Sequence, residues 1–305
     1  MLTNPHQVQK GIHTRATARV ECRNQRTVMM DRYANAPLKW SRGFTDVDGT
    51  LNVYLQDVSP GWMDGDNYEI TLDLLPASKL TLRTTTFGKV HPSTPDGSGA
   101  VINTSIRLDD ARLCYCPEPV IPFKDAKLTT YTTITMTKHA QLFLAESWAP
   151  GRTHKNERFL YDSLTATTEI TYNEQLLVWD PFAFSPSEAS PESLGAWEQY
   201  SHIGSIWIID GTAEPHVITK LIELIRALNT QTSETLRTAV SRLEGPGLSV
   251  RIAANRADLL QQQIIRIWQI ARIQLWNQHE DVWTAPGEQL PELAPAIPSG
   301  HHFQE

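Results

Sequence analysis

A change of hydrophobic period near residue 210 constrains this chain more than any other feature. From about residue 19 to 210, β-branched and aromatic residues alternate with polar ones in short runs. The clearest are NYEITLDLL (67–75), KLTLRTTTF (79–87), AVINTSIRL (100–108), ARLCYC (111–116), LTTYTTITMT (128–137) and LTATTEITY (164–172). Gly, Pro, Asp or Asn bounds each run, so the pattern predicts strands joined by turns. Past residue 210 the repeat lengthens to that of a helix. The expected fold class is mainly β: many short strands in a sandwich, barrel or β-helix-like stack, with two C-terminal α-helices packed on it. Periodicity alone does not separate stack, sandwich and barrel.

In EPHVITKLIELIRALN, Val217, Leu221, Ile222, Leu224, Ile225 and Leu228 share one helical stripe, and Pro215 is tolerated in the first turn because its missing donor would be unpaired there. A second helix is expected from about 256 to 277, with Asn255 as its N-cap and Leu259, Leu260, Ile264, Ile267, Trp268, Ala271 and Leu275 facing the core. Ile270, Ile273 and Trp276 fall outside that stripe and are expected to be exposed. LSVRIA (248–253) reads as one more strand, so the C-terminal third should close the β body. One domain is expected over residues 1–284. HPSTPDGSGA (91–100), SPSEASPESLGA (185–196) and the Pro-rich tail 285–305 read as loops or disorder, because they bury too little to offset ordering entropy.

A formal net charge of −7 with no Lys/Arg block argues against a nucleic-acid binder. The first twenty residues hold no apolar signal-peptide core, no run approaches the roughly 20 apolar residues that span a bilayer, and three cysteines give no disulfide framework. A cytoplasmic protein is expected. GxSxG, HExxH, GxxxxGK[ST] and GxGxxG are all absent from the sequence.

Cys114 and Cys116 flank Tyr115 in a strand, so both thiols point to one face. Without a second ligand pair they read as small buried hydrophobes, not a metal site. His301 and His302 form a weak nickel or zinc candidate. Asp64 and Asp66, either side of Gly65 in a turn, are the pair a carboxylate-dependent hydrolase would need. Trp40, Trp62, Trp148, Trp179 and Trp207 could serve a carbohydrate-binding module, although core packing explains most of them. In CPEPVIPFKDA (116–126), prolines end the strand ladder and set Glu118 at a rigid corner, with Val120, Ile121 and Phe123 turned inward.

Four stretches acquire meaning together: PGWMDGD (60–66), TTTFGKV (84–90), CYCPEPVIPFKDA (114–126) and AESWAPGRTHKNERF (145–159). In order and separation they resemble the urease accessory protein UreD (UreH) family over about residues 50–280. Gly61, Gly65 and Asp66 fall on the first motif, Lys89 on the second, and Pro117, Ile121, Phe123 and Ala126 on the third. Gly151, Arg152, Glu157 and Phe159 fall on the fourth, preceded by Glu146. The chain departs from the pattern at Pro60, Arg83, Gly88 and Asn156, the last being a residue that tolerates the left-handed region.

The resemblance implies a non-enzymatic role in urease maturation: binding the urease apoenzyme with UreF-like and UreG-like accessory proteins and assisting nickel(II) delivery, without a tightly bound cofactor. It also implies that the mainly β fold is a helically wound β stack or sandwich with two helices, and that it holds an internal polar channel. A dication in transit is best held loosely by carboxylates and water, so Asp66, Lys89, Glu118, Glu146, Arg152 and Glu157 are the channel or partner-surface candidates. The competing reading makes Arg152–Glu157 and Lys89–Asp66 buried structural ion pairs that hold loops.

Overall fold

The computed structural model describes residues 11–231 and 234–278. Its chain winds back and forth between two sheets. Leu51–Asp57, Lys79–Thr84, Arg112–Cys116 and Gln141–Trp148 lie side by side in one sheet, and Asn67–Leu74, Ala100–Leu108, Lys127–Met136 and Ser163–Tyr172 lie side by side in the other. Within each sheet these neighbours are parallel, because each pair is separated in sequence by one strand of the opposite sheet. The result is a helically wound, two-sheet β stack, in agreement with the expected mainly β class.

Antiparallel strands finish both sheets. His13–Arg23 joins the second sheet parallel to Asn67–Leu74, and Arg26–Ala34 and Gln175–Phe184 close its edges. The first sheet is extended by His202–Asp210, Gly247–Ala254 and Leu236–Arg242. LSVRIA is therefore a strand of the β body, as the sequence predicts.

The two sheets differ in what covers them, and their sequences differ accordingly. The second faces water on its outer side, so its strands alternate: Tyr68, Ile70, Leu72 and Leu74 are buried while Thr71 is exposed. The first is covered on both sides, so Arg112–Cys116 is buried at every position. Leu113 and Tyr115 point between the sheets; Cys114 and Cys116 point into the layer under the helices. Their sulfurs lie 3.8 Å apart, on one face as expected.

That second layer is made by two α-helices among the described residues, α1 (Pro215–Ala227) and α2 (Ala257–Trp276). Ile218, Leu221, Ile222 and Ile225 of α1 and Leu260, Ile264, Ile267, Trp268 and Ala271 of α2 pack on Phe143, Ile206, Ile208, Val250 and Ile252. The Phe143 and Trp268 rings meet edge to face at 4.8 Å.

Several expectations need correction. The N-cap of α2 is Arg256, in extended geometry and without a side-chain cap bond; Asn255 lies one residue outside. Ile270 is buried, and Trp276 packs against the same layer, donating its indole N–H to Asp210 at 3.0 Å under the Arg112 guanidinium. The final helix is wider on its apolar side than one stripe because it is sunk between α1 and the sheet. The 91–100 loop is tied down by Asp64, and Lys127 donates to the carbonyls of Pro95 and Gly97. The 185–196 segment is held by Trp197, which is buried against Phe159, Phe182 and Phe184. Residues 285–305, with His301 and His302, lie outside the described residues.

Candidate functional site

The four motif stretches all lie where the chain leaves the helix-covered sheet for the open one, so they meet at one end of the stack. The return connections at the other end are short turns. At the motif end the loops pair with one another: Trp62 N donates to Lys89 O at 2.7 Å, Gly88 N to Pro119 O at 3.0 Å, and Ala149 N to Val120 O at 2.9 Å. Val120–Pro122, the continuation of the proline corner, runs parallel to Gly88–Val90. Phe123 is buried beneath the Arg152 guanidinium, 3.9 Å from its ring centroid. Proline stiffness thus ends one ladder and starts another.

Some predicted residues are committed to building these loops. Asp66 is buried and accepts from the backbone N–H of Ile12 at 2.9 Å and of Met63 at 2.8 Å. Lys89 is exposed, so no buried Lys89–Asp66 pair forms. Arg152 and Glu157 make a two-pronged ion pair at 2.7 and 2.6 Å that closes a tight hairpin; it holds a loop, as in the competing reading, but is partly exposed and not buried. The bonds from Arg152 hold the Glu157 carboxyl below its usual range. Asn156 takes the left-handed conformation (φ 57°) that its side chain tolerates. Asp64 accepts from Thr94 N, Thr94 Oγ1 and Gly99 N. Burial pushes its carboxyl up, and the bonds outweigh it. Both carboxylates of the hydrolase reading are therefore structural anchors, and four of the five tryptophans of the binding-module reading, all but the exposed Trp179, pack on the core.

Others border a cavity of about 130 Å³ that enters the body from the motif end between the sheets. Lys89 stands at its mouth with Gly61 and Trp62, Pro117 and Glu118 lie along its wall, and Glu146 lies at its inner end. Glu118 is half-buried, with Arg83 at 3.6 Å; burial raises its carboxyl despite that charge. Glu146 projects inward from Gln141–Trp148 and accepts across the interior from Thr132 Oγ1 at 3.0 Å and Thr168 Oγ1 at 3.1 Å, both on the opposite sheet. Desolvation raises its pKa, and the two hydroxyls counter part of that rise.

A second cavity, of about 360 Å³, lies where the sheet edges diverge, and Glu146 and Trp148 border it too. Here sequence reasoning missed what completes the site. Glu146, Ser205 and Arg251 are successive register partners on adjacent strands, and so are Thr104, Thr132, Thr168 and Asp180 on the other sheet. Register partners share a face, so two polar rows oppose each other in an otherwise apolar interior. Arg251 Nη2 meets Asp180 Oδ2 at 2.5 Å and joins the rows at their ends. An Arg at an inward position of LSVRIA was the available signal. Among the described residues no group of three or more His, Cys, Asp and Glu is placed to hold a metal ion together, and no helix is long and apolar enough to cross a membrane.

Fold and site together define a two-sheet, wound β stack with a polar belt through its interior and its motif loops gathered at one end. The chain belongs to the UreD urease accessory protein family, whose sequence profile matches residues 13–284. It is 32% identical over 251 residues to the urease accessory protein UreD of Lysinibacillus sphaericus (strain C3-41), covering 82% of this chain and 91% of that protein. It is also 32% identical over 225 residues to UreD of Actinobacillus pleuropneumoniae serotype 5b (strain L20), covering 73% and 83%. With UreD of Staphylococcus aureus (strain bovine RF122 / ET3-1) it shares 27% identity over 238 residues, covering 78% and 84%.

Proposed function

We propose that this chain is a non-catalytic urease maturation factor of the cytoplasm that binds apo-urease with UreF-like and UreG-like partners and lets nickel(II) pass through its interior. The observation that carries the reading is that Glu146 borders both cavities, so one carboxylate stands between an opening at the motif end and an opening at the sheet edges. Nickel(II) is the cargo and not a resident cofactor. Oxygen donors from Glu118, Glu146, Thr132 and Thr168 suit such a cargo, since hard, sparse ligands hold a borderline dication less firmly than a thiolate and imidazole cage.

The role of each candidate follows from its place. Lys89 sits at the cavity mouth, where it contributes to a partner surface. Glu118 and Glu146 line the route. Asp66, Arg152 and Glu157 hold the loops that shape the entrance. Co-expression of tagged chain with the urease subunits and the other accessory proteins tests the reading. A recovered complex and urease activity that depends on this chain are expected; a chain that purifies alone and leaves urease activity unchanged overturns it.

A further inference from the structure

We propose that Arg251 is a tethered cation occupying the charge position of the inner passage until a divalent cation displaces it, and that Asp180 is the group that draws it aside. This rests on the reading that nickel(II) passes Glu146.

Arg251 stands two strands from Glu146 in the same polar row, with Ser205 between them. Its guanidinium pairs with Asp180 across the gap between the sheets, 2.5 Å away, and lies 5.3 Å from the Trp207 ring centroid. It borders the same cavity as Glu146. A guanidinium is planar, permanently charged and weakly hydrated, so it neutralises one of the two facing carboxylates without closing the space. A monovalent ion gains little by competing with it. A divalent ion, entering as the arm turns out, balances Glu146 and Asp180 together. The arm has room to turn, because the Arg251 side chain is 48% exposed.

An ion pair that only ties two sheet edges together should respond alike to loss of either end. A tethered cation should not. In Arg251→Gln the competing charge is gone and passage is easier; in Asp180→Asn the guanidinium keeps its charge and is left to Glu146, so passage is harder. Arg251 and Asp180 are thus positioning residues whose removal acts in opposite directions.

The test uses full-length chain co-expressed with the urease subunits and remaining accessory proteins, titrating nickel(II) and reading both urease activity and nickel per urease. Arg251→Gln is expected to lower the nickel concentration for half-maximal activation, and Asp180→Asn to raise it, each on the order of tenfold, the effect of one unit charge acting across a protein interior. Thermal melts check folding. If Asp180→Asn does not fold, Asp180→Glu, which keeps the pair, should behave as the parent while Arg251→Gln still eases activation. Equal losses in the two variants, or no change in either, overturn the tethered cation. Glu146→Leu separates the two ideas: if it leaves nickel loading unchanged, the passage reading itself fails.

Discussion

Thr132 and Glu146 belong to different sheets, yet the Thr132 hydroxyl donates to the Glu146 carboxylate across the interior at 3.0 Å. With the Thr168 bond at 3.1 Å, this places an acid where an apolar pair would pack better. Burial holds the folded-state pKa of Glu146 above its ordinary value of 4.5. The stability carried by the protonated form is therefore fully present below that ordinary value and lost as pH rises through the raised one. Glu146→Gln should melt about 1–2 °C higher than the parent at neutral pH, as a gain of roughly 1 kcal/mol does in a chain of this size. The difference should vanish in acid, while urease maturation falls. Scanning calorimetry across pH checks the sign.

Arg152 bonds Glu157 through two nitrogens while its guanidinium lies over the Phe123 ring, 3.9 Å from the centroid. A lysine offers neither the fork nor the plane. Arg152→Lys should loosen the 151–158 hairpin, seen as faster hydrogen exchange there and earlier nicking between 153 and 156, with the global melt little changed.

Two motif glycines should differ sharply. A Cβ on Gly151 would lie 2.0 Å from Glu157 O at a φ of +128°, so both space and conformation oppose Gly151→Ala. Gly65 has φ +80°, but a Cβ there would meet nothing nearer than Gly11 N at 3.5 Å, so Gly65→Ala should cost only about 1 kcal/mol for the conformation. Urea melts should show the smaller loss for Gly65→Ala and a far larger one, or failure to fold, for Gly151→Ala.

Cys114 and Cys116 are buried under the helices, and burial pushes the Cys116 thiol well above its usual range. Thiolate, not thiol, reacts. In the native protein an alkylating reagent should label Cys22, which is partly exposed, and spare the other two until denaturant is added. Mass spectrometry of the labelled chain reads this directly.

The β character was legible because sheet sequences carry their surroundings. NYEITLDL alternates since one side meets water; RLCYC does not since both sides are covered. Winding was not legible in the periodicity and came only from the family resemblance, because it depends on parallel partners such as Thr104, Thr132 and Thr168 that lie tens of residues apart. For the same reason the motif stretches named Glu146 and Glu118, but not the hydroxyls that hold Glu146 or the Asp180–Arg251 pair beside it. The 91–100 and 185–196 segments are loops, as composition reads, but ordered ones: Asp64 and Lys127 hold the first and the neighbouring Trp197 anchors the second, contacts that composition does not show.

The most direct measurement is the nickel content of urease matured with Glu146→Leu chain that folds and still co-purifies with its partners. An interior passage at Glu146 predicts that urease assembles but stays nickel-poor and inactive, because an apolar side chain replaces the carboxylate that borders both cavities. Urease carrying its normal nickel alongside that variant would contradict the account.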